Sequence, residues 1–177
     1  MNRRSRGLGS LAMMMATALL MIGCSSPTMQ RHDVTVALAE DVGIGADTYT
    51  VYLTGVSGDE NALAKMKSAS VDDFIRQDDL RRLSPTVTFT LNKDNASPKT
   101  LAADAKVWEE WRSAGVMNLF VIADTPEAPA DRSAMGDTRR VIIPLGSNRW
   151  NGQTKIRVTL RRSAISYAPT PPNPEKK

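Results

Sequence analysis

The sequence predicts a mainly β fold, a β-sandwich with short helices inserted between its strands. Three observations lead there. Apolar and polar residues alternate along several short runs, one later run is apolar throughout, and only two stretches break the strand pattern. A period of two sends successive side chains to opposite faces, so each alternating run has one side for a core and one for water. Such strands suit an antiparallel sheet packed on one face. Two sheets closed on each other make a sandwich.

In chain order, Val34, Val36 and Leu38 alternate with Thr35, Ala37 and Ala39. Gly43-Ile44-Gly45 follows that strand but opens no helix and lacks the third glycine or lysine of a phosphate loop, so it reads as the turn between the first two strands. Tyr49, Val51 and Leu53 then alternate with Thr50, Tyr52 and Thr54. Ser70 to Leu83 predicts one or two short helices. Ser70 stands as a cap with Asp73 three residues on, and Val71, Phe74, Ile75, Leu80 and Leu83 fall loosely on one face. Val87, Phe89 and Leu91 return to alternation against Thr86, Thr88 and Thr90.

Leu101 to Ala114 predicts the clearer helix. Leu101, Ala105, Trp108 and Trp111 share a face, Lys106 and Glu110 pair at four residues, and Gly115 fits a left-handed cap. Met117 to Ala123 contains Leu119-Phe120-Val121-Ile122 and predicts a central strand covered on both sides. Arg140 to Leu145 is a short strand whose Pro144 places it at an edge or a strand end. In the last strand, Ile156, Val158 and Leu160 oppose Arg157, Thr159 and Arg161.

The amino terminus has a different character. Arg3, Arg4 and Arg6 precede an uncharged apolar run from Leu11 to Ile22, the layout of a signal peptide. The run is shorter than the roughly 20 residues that cross a bilayer. It ends in Met21-Ile22-Gly23-Cys24, which resembles the lipobox of bacterial lipoproteins, with Cys24 as the residue that receives lipid. Cys24 is the only cysteine, so no internal disulfide is possible and an exported spare thiol needs another role. Lipidation supplies that role, and more than one acyl chain makes such anchoring stable. By the sorting rule of such lipoproteins, Ser25 in place of aspartate points to the outer membrane, with the domain in the periplasm.

The expected organisation is a signal peptide over 1–23, a tether over 24–32, one β-sandwich domain over 33–167 and a proline-rich disordered tail over 168–177. Charge supports a reading without nucleic acid. The formal +4 contains three leader arginines, which leaves the mature chain at +1, and so nearly neutral a protein has no global attraction for a polyanion.

The search for chemistry is mostly negative. His32 is the only histidine, and the sequence places it in the tether, so a charge relay, a histidine-bound metal or a thiol nucleophile has no material. Asp72-Asp73, Asp78-Asp79 and Glu109-Glu110 read as solvated surface. The loop Asp124 to Asp137 holds four acids, but their spacing matches no calcium loop. Arg139-Arg140, Arg157 and Arg161-Arg162 read as outward arginines that guard sheet edges. No catalytic residue, cofactor or metal is expected. Trp108 and Trp111 read as core anchors, while Trp150 beside Asn151-Gly152 is a candidate partner anchor.

The order of pieces resembles the outer-membrane lipoprotein of type VI secretion systems, the TssJ family. The resemblance rests on the strand Val34 to Leu38, the turn Gly43 to Asp47, the strand Tyr49 to Leu53 running through Thr54-Gly55 into a helical insert with Phe74, and Ser97-Pro98-Lys99-Thr100-Leu101. It continues in Leu119-Phe120-Val121-Ile122-Ala123-Asp124, Arg139-Arg140-Val141-Ile142-Ile143-Pro144-Leu145 and Ile156 to Leu160. It implies a transthyretin-like β-sandwich on the inner face of the outer membrane that recruits the periplasmic part of an inner-membrane secretion component. It also implies that the loop after the first strand makes the contact, here Asp41, Val42, Gly43, Ile44, Gly45, Ala46 and Asp47. The chain departs from the family's pattern in the helix expected over Leu101 to Ala114 and in the long loop after Asp124. The alternative is a lipid-anchored module that binds a small ligand or envelope polymer on a surface of Trp108, Trp111 and Trp150.

Overall fold

The structure, a computed structural model, describes residues 27–40, 42, 47–82, 84–92 and 94–169. Strands β1 (Asp33–Leu38), β2 (Tyr49–Ser57), β3 (Thr86–Leu91), β4 (Lys99–Leu101), β5 (Val116–Asp124), β6 (Arg140–Pro144), β7 (Lys155–Leu160) and β8 (Ile165–Ala168) form two four-stranded sheets. Their orders are β4-β1-β7-β8 and β3-β2-β5-β6. Four helices are inserted, α1 (Glu60–Ser68), α2 (Val71–Arg76), α3 (Asp78–Arg81) and α4 (Val107–Ser113), with a 3-10 turn at Ser147–Arg149. No helix among the described residues is long and apolar enough to cross a membrane.

Alternation builds the sandwich as expected. Val34, Val36, Ile156, Val158 and Leu160 from the first sheet meet Tyr49, Val51, Leu53, Leu119, Val121 and Ala123 from the second in one buried cluster. Strand β5 is covered on both sides. Its Phe120 and Ile122 face outward into a smaller cluster with Val71 and Phe74 of α2 and Met66 of α1. Pro144 ends β6, which lies at the edge of its sheet.

Several elements differ from the sequence reading, each for a physical reason. Strand β1 pairs with β7 in parallel, Val34 opposite Ile156 and Leu38 opposite Leu160, although alternation had suggested antiparallel neighbours. Partners so distant in sequence leave no local turn signal. Leu101 ends β4 opposite Val34 instead of starting a helix, and the Asp33 carboxylate accepts the Ala103 N–H at 2.8 Å. These bonds hold 102–106 as a turn, so α4 begins only at Val107. Gly115 caps it with φ +67° as expected. The unexpected α1 is capped by Asp59, whose carboxylate accepts the Ala62 N–H at 2.8 Å. Its apolar face is narrow, since only Met66 is fully buried. Strand β8, also unexpected, follows the supposed last strand and takes Ala168 from the predicted tail.

The amino-terminal segment joins the body earlier than the predicted boundary at residue 33. Met29 and His32 are buried, and the Gln30 N–H donates to the Leu145 carbonyl at 2.6 Å. His32 therefore belongs to the fold and not to a tether. Its ring lies 4.7 Å from that of Trp150, and neither ring nitrogen has a hydrogen-bond partner among the described residues.

All three tryptophans close this end of the sandwich. Trp108 and Trp111 meet edge to face at 5.0 Å, a favoured geometry for paired aromatic rings. Their indole N–H groups donate to the Ala102 and Pro85 carbonyls at 2.9 and 2.8 Å, and that of Trp150 donates to the Pro144 carbonyl at 2.6 Å. The Trp111 ring lies against the backbone of Gly55, where an added Cβ would come within 2.6 Å of it.

Two predictions follow from this packing. Gly55→Ala should cost about 2 kcal/mol or more, because the added methyl would overlap the buried Trp111 ring; an unchanged urea midpoint would contradict that. Burial lowers the His32 pKa from 6.5 to about 4 against the opposing charge of Asp33. As pH falls from 6.5 towards 4, the unfolded chain therefore takes up a proton that the folded chain refuses, and stability drops by on the order of 3 kcal/mol. Denaturation between pH 6.5 and about 5, above the carboxylate range, should show a steeper slope in the wild type than in His32→Leu. His32 is the only histidine, so no other imidazole can mimic it.

Candidate functional site at the loop end of the sandwich

Strand β1 ends at Leu38 and strand β2 begins at Tyr49, both at the end of the sandwich remote from the amino-terminal segment. Of the seven residues implicated in partner contact, Asp41, Gly43, Ile44, Gly45 and Ala46 lie outside the described residues, as does Cys24. The structure places the other two. Val42 packs against the core cluster and its N–H donates to the Ala39 carbonyl at 3.0 Å. Asp47 pairs with Arg162 at 3.3 Å.

Arg162 is the hub of this end. Its guanidinium also pairs with Glu127, and that bond, with the charges of Glu127 and Asp47, holds it protonated beyond the usual arginine range. It thereby ties the segment after β1 to the loop after β5 and the turn between β7 and β8. Backbone bonds reinforce the tie. The Glu127 N–H donates to the Arg162 carbonyl at 3.0 Å, and the Ile165 N–H to the Thr138 carbonyl at 2.8 Å. Beneath them the Tyr49 hydroxyl is buried without a hydrogen-bond partner among the described residues. Burial pushes its pKa above that of an ordinary phenol, and Arg162 partly offsets the rise.

The long loop Asp124 to Asp137 is held by its own acids. The Ser133 hydroxyl and then its N–H, which donates to the Asp131 carboxylate at 2.8 Å, lower that carboxyl below the usual range. Asp137 is fully buried and takes a two-pronged bond from Arg139, Nε to Oδ1 at 3.0 Å and the second nitrogen to Oδ2 at 2.6 Å. Arg139 also meets Asp72 of α2 at 3.0 Å. The expectation of outward arginines therefore fails at Arg139, which is buried. Arg140 likewise turns inward, donating to the Met66 and Ala69 carbonyls at the end of α1 at 3.1 and 2.9 Å. Alternation along a strand had no means of showing these inward turns, because the partners come from α1 and α2. Among the described residues, no group of three or more acids, histidines or cysteines stands where it could hold a metal ion.

The tryptophan surface proposed for a ligand does not exist. Trp108, Trp111 and Trp150 are all buried, so Trp150 is a core residue and not a partner anchor. An apolar cleft of about 210 Å³ does open elsewhere, between Ala62, Lys65 and Met66 of α1 and Val116.

These contacts differ in what they contribute. Asp137→Ala leaves the Arg139 charge buried beside only Asp72 and should cost about 3–5 kcal/mol. Arg162→Ala breaks exposed pairs and should cost under about 1 kcal/mol. Denaturant midpoints of the two variants test this, and equal losses would contradict it.

No protein-family model matches the sequence, and no curated protein matches it. Solved structures do. A chain of a type VI membrane complex is similar over 80% of this chain and 100% of its own, at 10% identity and a TM-score of 0.52. Lip from Serratia marcescens, a membrane-bound component of the type VI secretion system, is 14% identical over 79% of this chain and 98% of its own, with a TM-score of 0.49. The type VI lipoprotein TssJ1 from Pseudomonas aeruginosa is 14% identical over 84% and 100%, with a TM-score of 0.45. The chain thus shares the fold of a component of a type VI membrane complex.

Proposed function

We propose that this protein is a lipid-anchored structural component of a type VI secretion envelope complex, held at the outer membrane by Cys24. Its sandwich stands in the periplasm and engages the periplasmic part of an inner-membrane component. The observation that carries this reading is the fold it shares, over the other chain's whole length, with a type VI membrane complex component.

The geometry of the two ends supports it. Two residues, Ser25 and Ser26, separate Cys24 from Pro27, the first described residue, and the three steps between them, at about 3.3–3.6 Å each, reach roughly 10 Å. An anchor at Cys24 therefore keeps the tryptophan-closed end near the headgroups. The loop end, with Val42, Asp47, Glu127 and Arg162, then faces away from the bilayer. A surface of loops carried on a sheet frame suits protein contact.

Two experiments test the reading. A palmitate analogue fed to growing cells should label the wild type and not Cys24→Ser, and equal labelling would sink the anchor. The domain should capture the periplasmic part of the inner-membrane component, and replacing Asp41 to Asp47 with glycine and serine should abolish capture. Undiminished capture would show that the contact lies elsewhere.

A further inference from the structure

Strand β2 outruns its neighbour β3. Their last pair is Thr54 with Thr86, while β2 continues to Ser57, so beyond Thr54 one side of it has no strand. Helix α1 packs on β2 at this corner, and the chain returns beside it from α4 into β5 at Ala114 and Val116. The residues that meet there are small. Gly55, Ala62 and Ala114 leave the corner unfilled, as a cleft of about 210 Å³. It lies at the tryptophan end of the sandwich, since Trp111 packs on the same Gly55.

Three features select what fits. The walls are mostly apolar, with Val56, Met66 and Val116 as their largest apolar members. Lys65 is the one charged residue among the described residues that line the cleft; it is exposed and forms no ion pair among them. Ser84 belongs to the wall, and its hydroxyl is buried without a hydrogen-bond partner among the described residues. That is a costly state, which a ligand oxygen would relieve. Apolar walls suit an aliphatic chain, and a few polar groups fix the head of a ligand. Here those groups are a cation and a hydroxyl, with no acid among the described lining residues to receive an amine.

Size limits the chain. A methylene group takes up about as much room as a water in the liquid, roughly 30 Å³, so the cleft holds about seven. We propose that it binds an unbranched aliphatic carboxylate of about eight carbons, the anion of a medium-chain fatty acid. The chain lies against Val56, Met66 and Val116, and the carboxylate accepts charge-assisted bonds from the Lys65 ammonium and the Ser84 hydroxyl.

The charge on the head separates this ligand from its neighbours in chemistry. An ester of the same chain, as in a phospholipid, offers Lys65 no anion. A purely apolar guest would fill the walls and leave the Ser84 hydroxyl unpaired. Neither the anchor at Cys24 nor the partner contact enters the argument, so the site stands or falls apart from them.

Methionine-methyl NMR of the full-length protein in phosphatidylcholine nanodiscs reads the cleft directly, with Met66 assigned by Met66→Leu and free ligand concentrations measured. Octanoate should shift the Met66 methyl signal saturably and bind at least roughly fivefold more tightly than methyl octanoate. Lys65→Gln changes an exposed side chain and should bring that ratio to about one, by weakening octanoate and leaving the ester as it was. Ala62→Leu replaces a half-buried residue with another good helix former, fills the cleft and should abolish both shifts. Equal affinity of octanoate and its ester in the wild type would reveal a site for apolar guests only and overturn the proposal. So would a Met66 signal that does not move at millimolar octanoate, a ratio unchanged in Lys65→Gln, or octanoate binding that survives Ala62→Leu.

Discussion

The packing of Trp111 on the Gly55 backbone is the constraint around which the rest is arranged. An indole can lie that close to a strand only where the strand carries no side chain, so β2 and α4 are fitted to each other. Trp108 then braces Trp111 from the edge, and Trp150 closes the same end by holding His32 and bonding Pro144. Each indole N–H has a carbonyl partner. This matters because a buried polar group without one is costly.

The opposite end is built from other materials. Charge pairs and backbone bonds join the segment after β1, the loop after β5 and the turn before β8, with Arg162 between Asp47 and Glu127. Exposed pairs of this kind add little to stability, so the loops depend on the sandwich below them. The exception is Arg139, buried with Asp137 and Asp72. It fixes the root of the long loop to α2. The fold thus joins an apolar, tryptophan-packed end to a polar loop end.

The strands were legible because one face of each is buried, and Val34 and Val36, Tyr49 to Leu53 and Ile156 to Leu160 all follow the period of two. Strand β5 was legible for the opposite reason, since Phe120 and Ile122 are buried as deeply as Leu119 and Val121. What escaped the sequence depends on contacts between distant residues. The parallel pairing of β1 with β7 has no local signature, and His32 looked like part of a tether because Trp150 lies far along the chain. Arg139 looked like a surface cation because its partner Asp72 sits on a helix of the other half. Of the candidate site, Val42 and Asp47 are placed in the structure, and Cys24 lies outside the described residues.

The central claim is that the two ends have opposite duties, the tryptophan end towards the membrane and the loop end away from it. Strands of six residues hold these ends about 20 Å apart, a distance that depth-dependent quenching resolves. Fluorophores placed in turn at Ser147 and Asp131 of the lipidated protein in vesicles, with a nitroxide on the lipid headgroup, measure the orientation directly. Strong quenching at 147 with little at 131 is the predicted result. Equal quenching at both sites, or stronger quenching at 131, would contradict it.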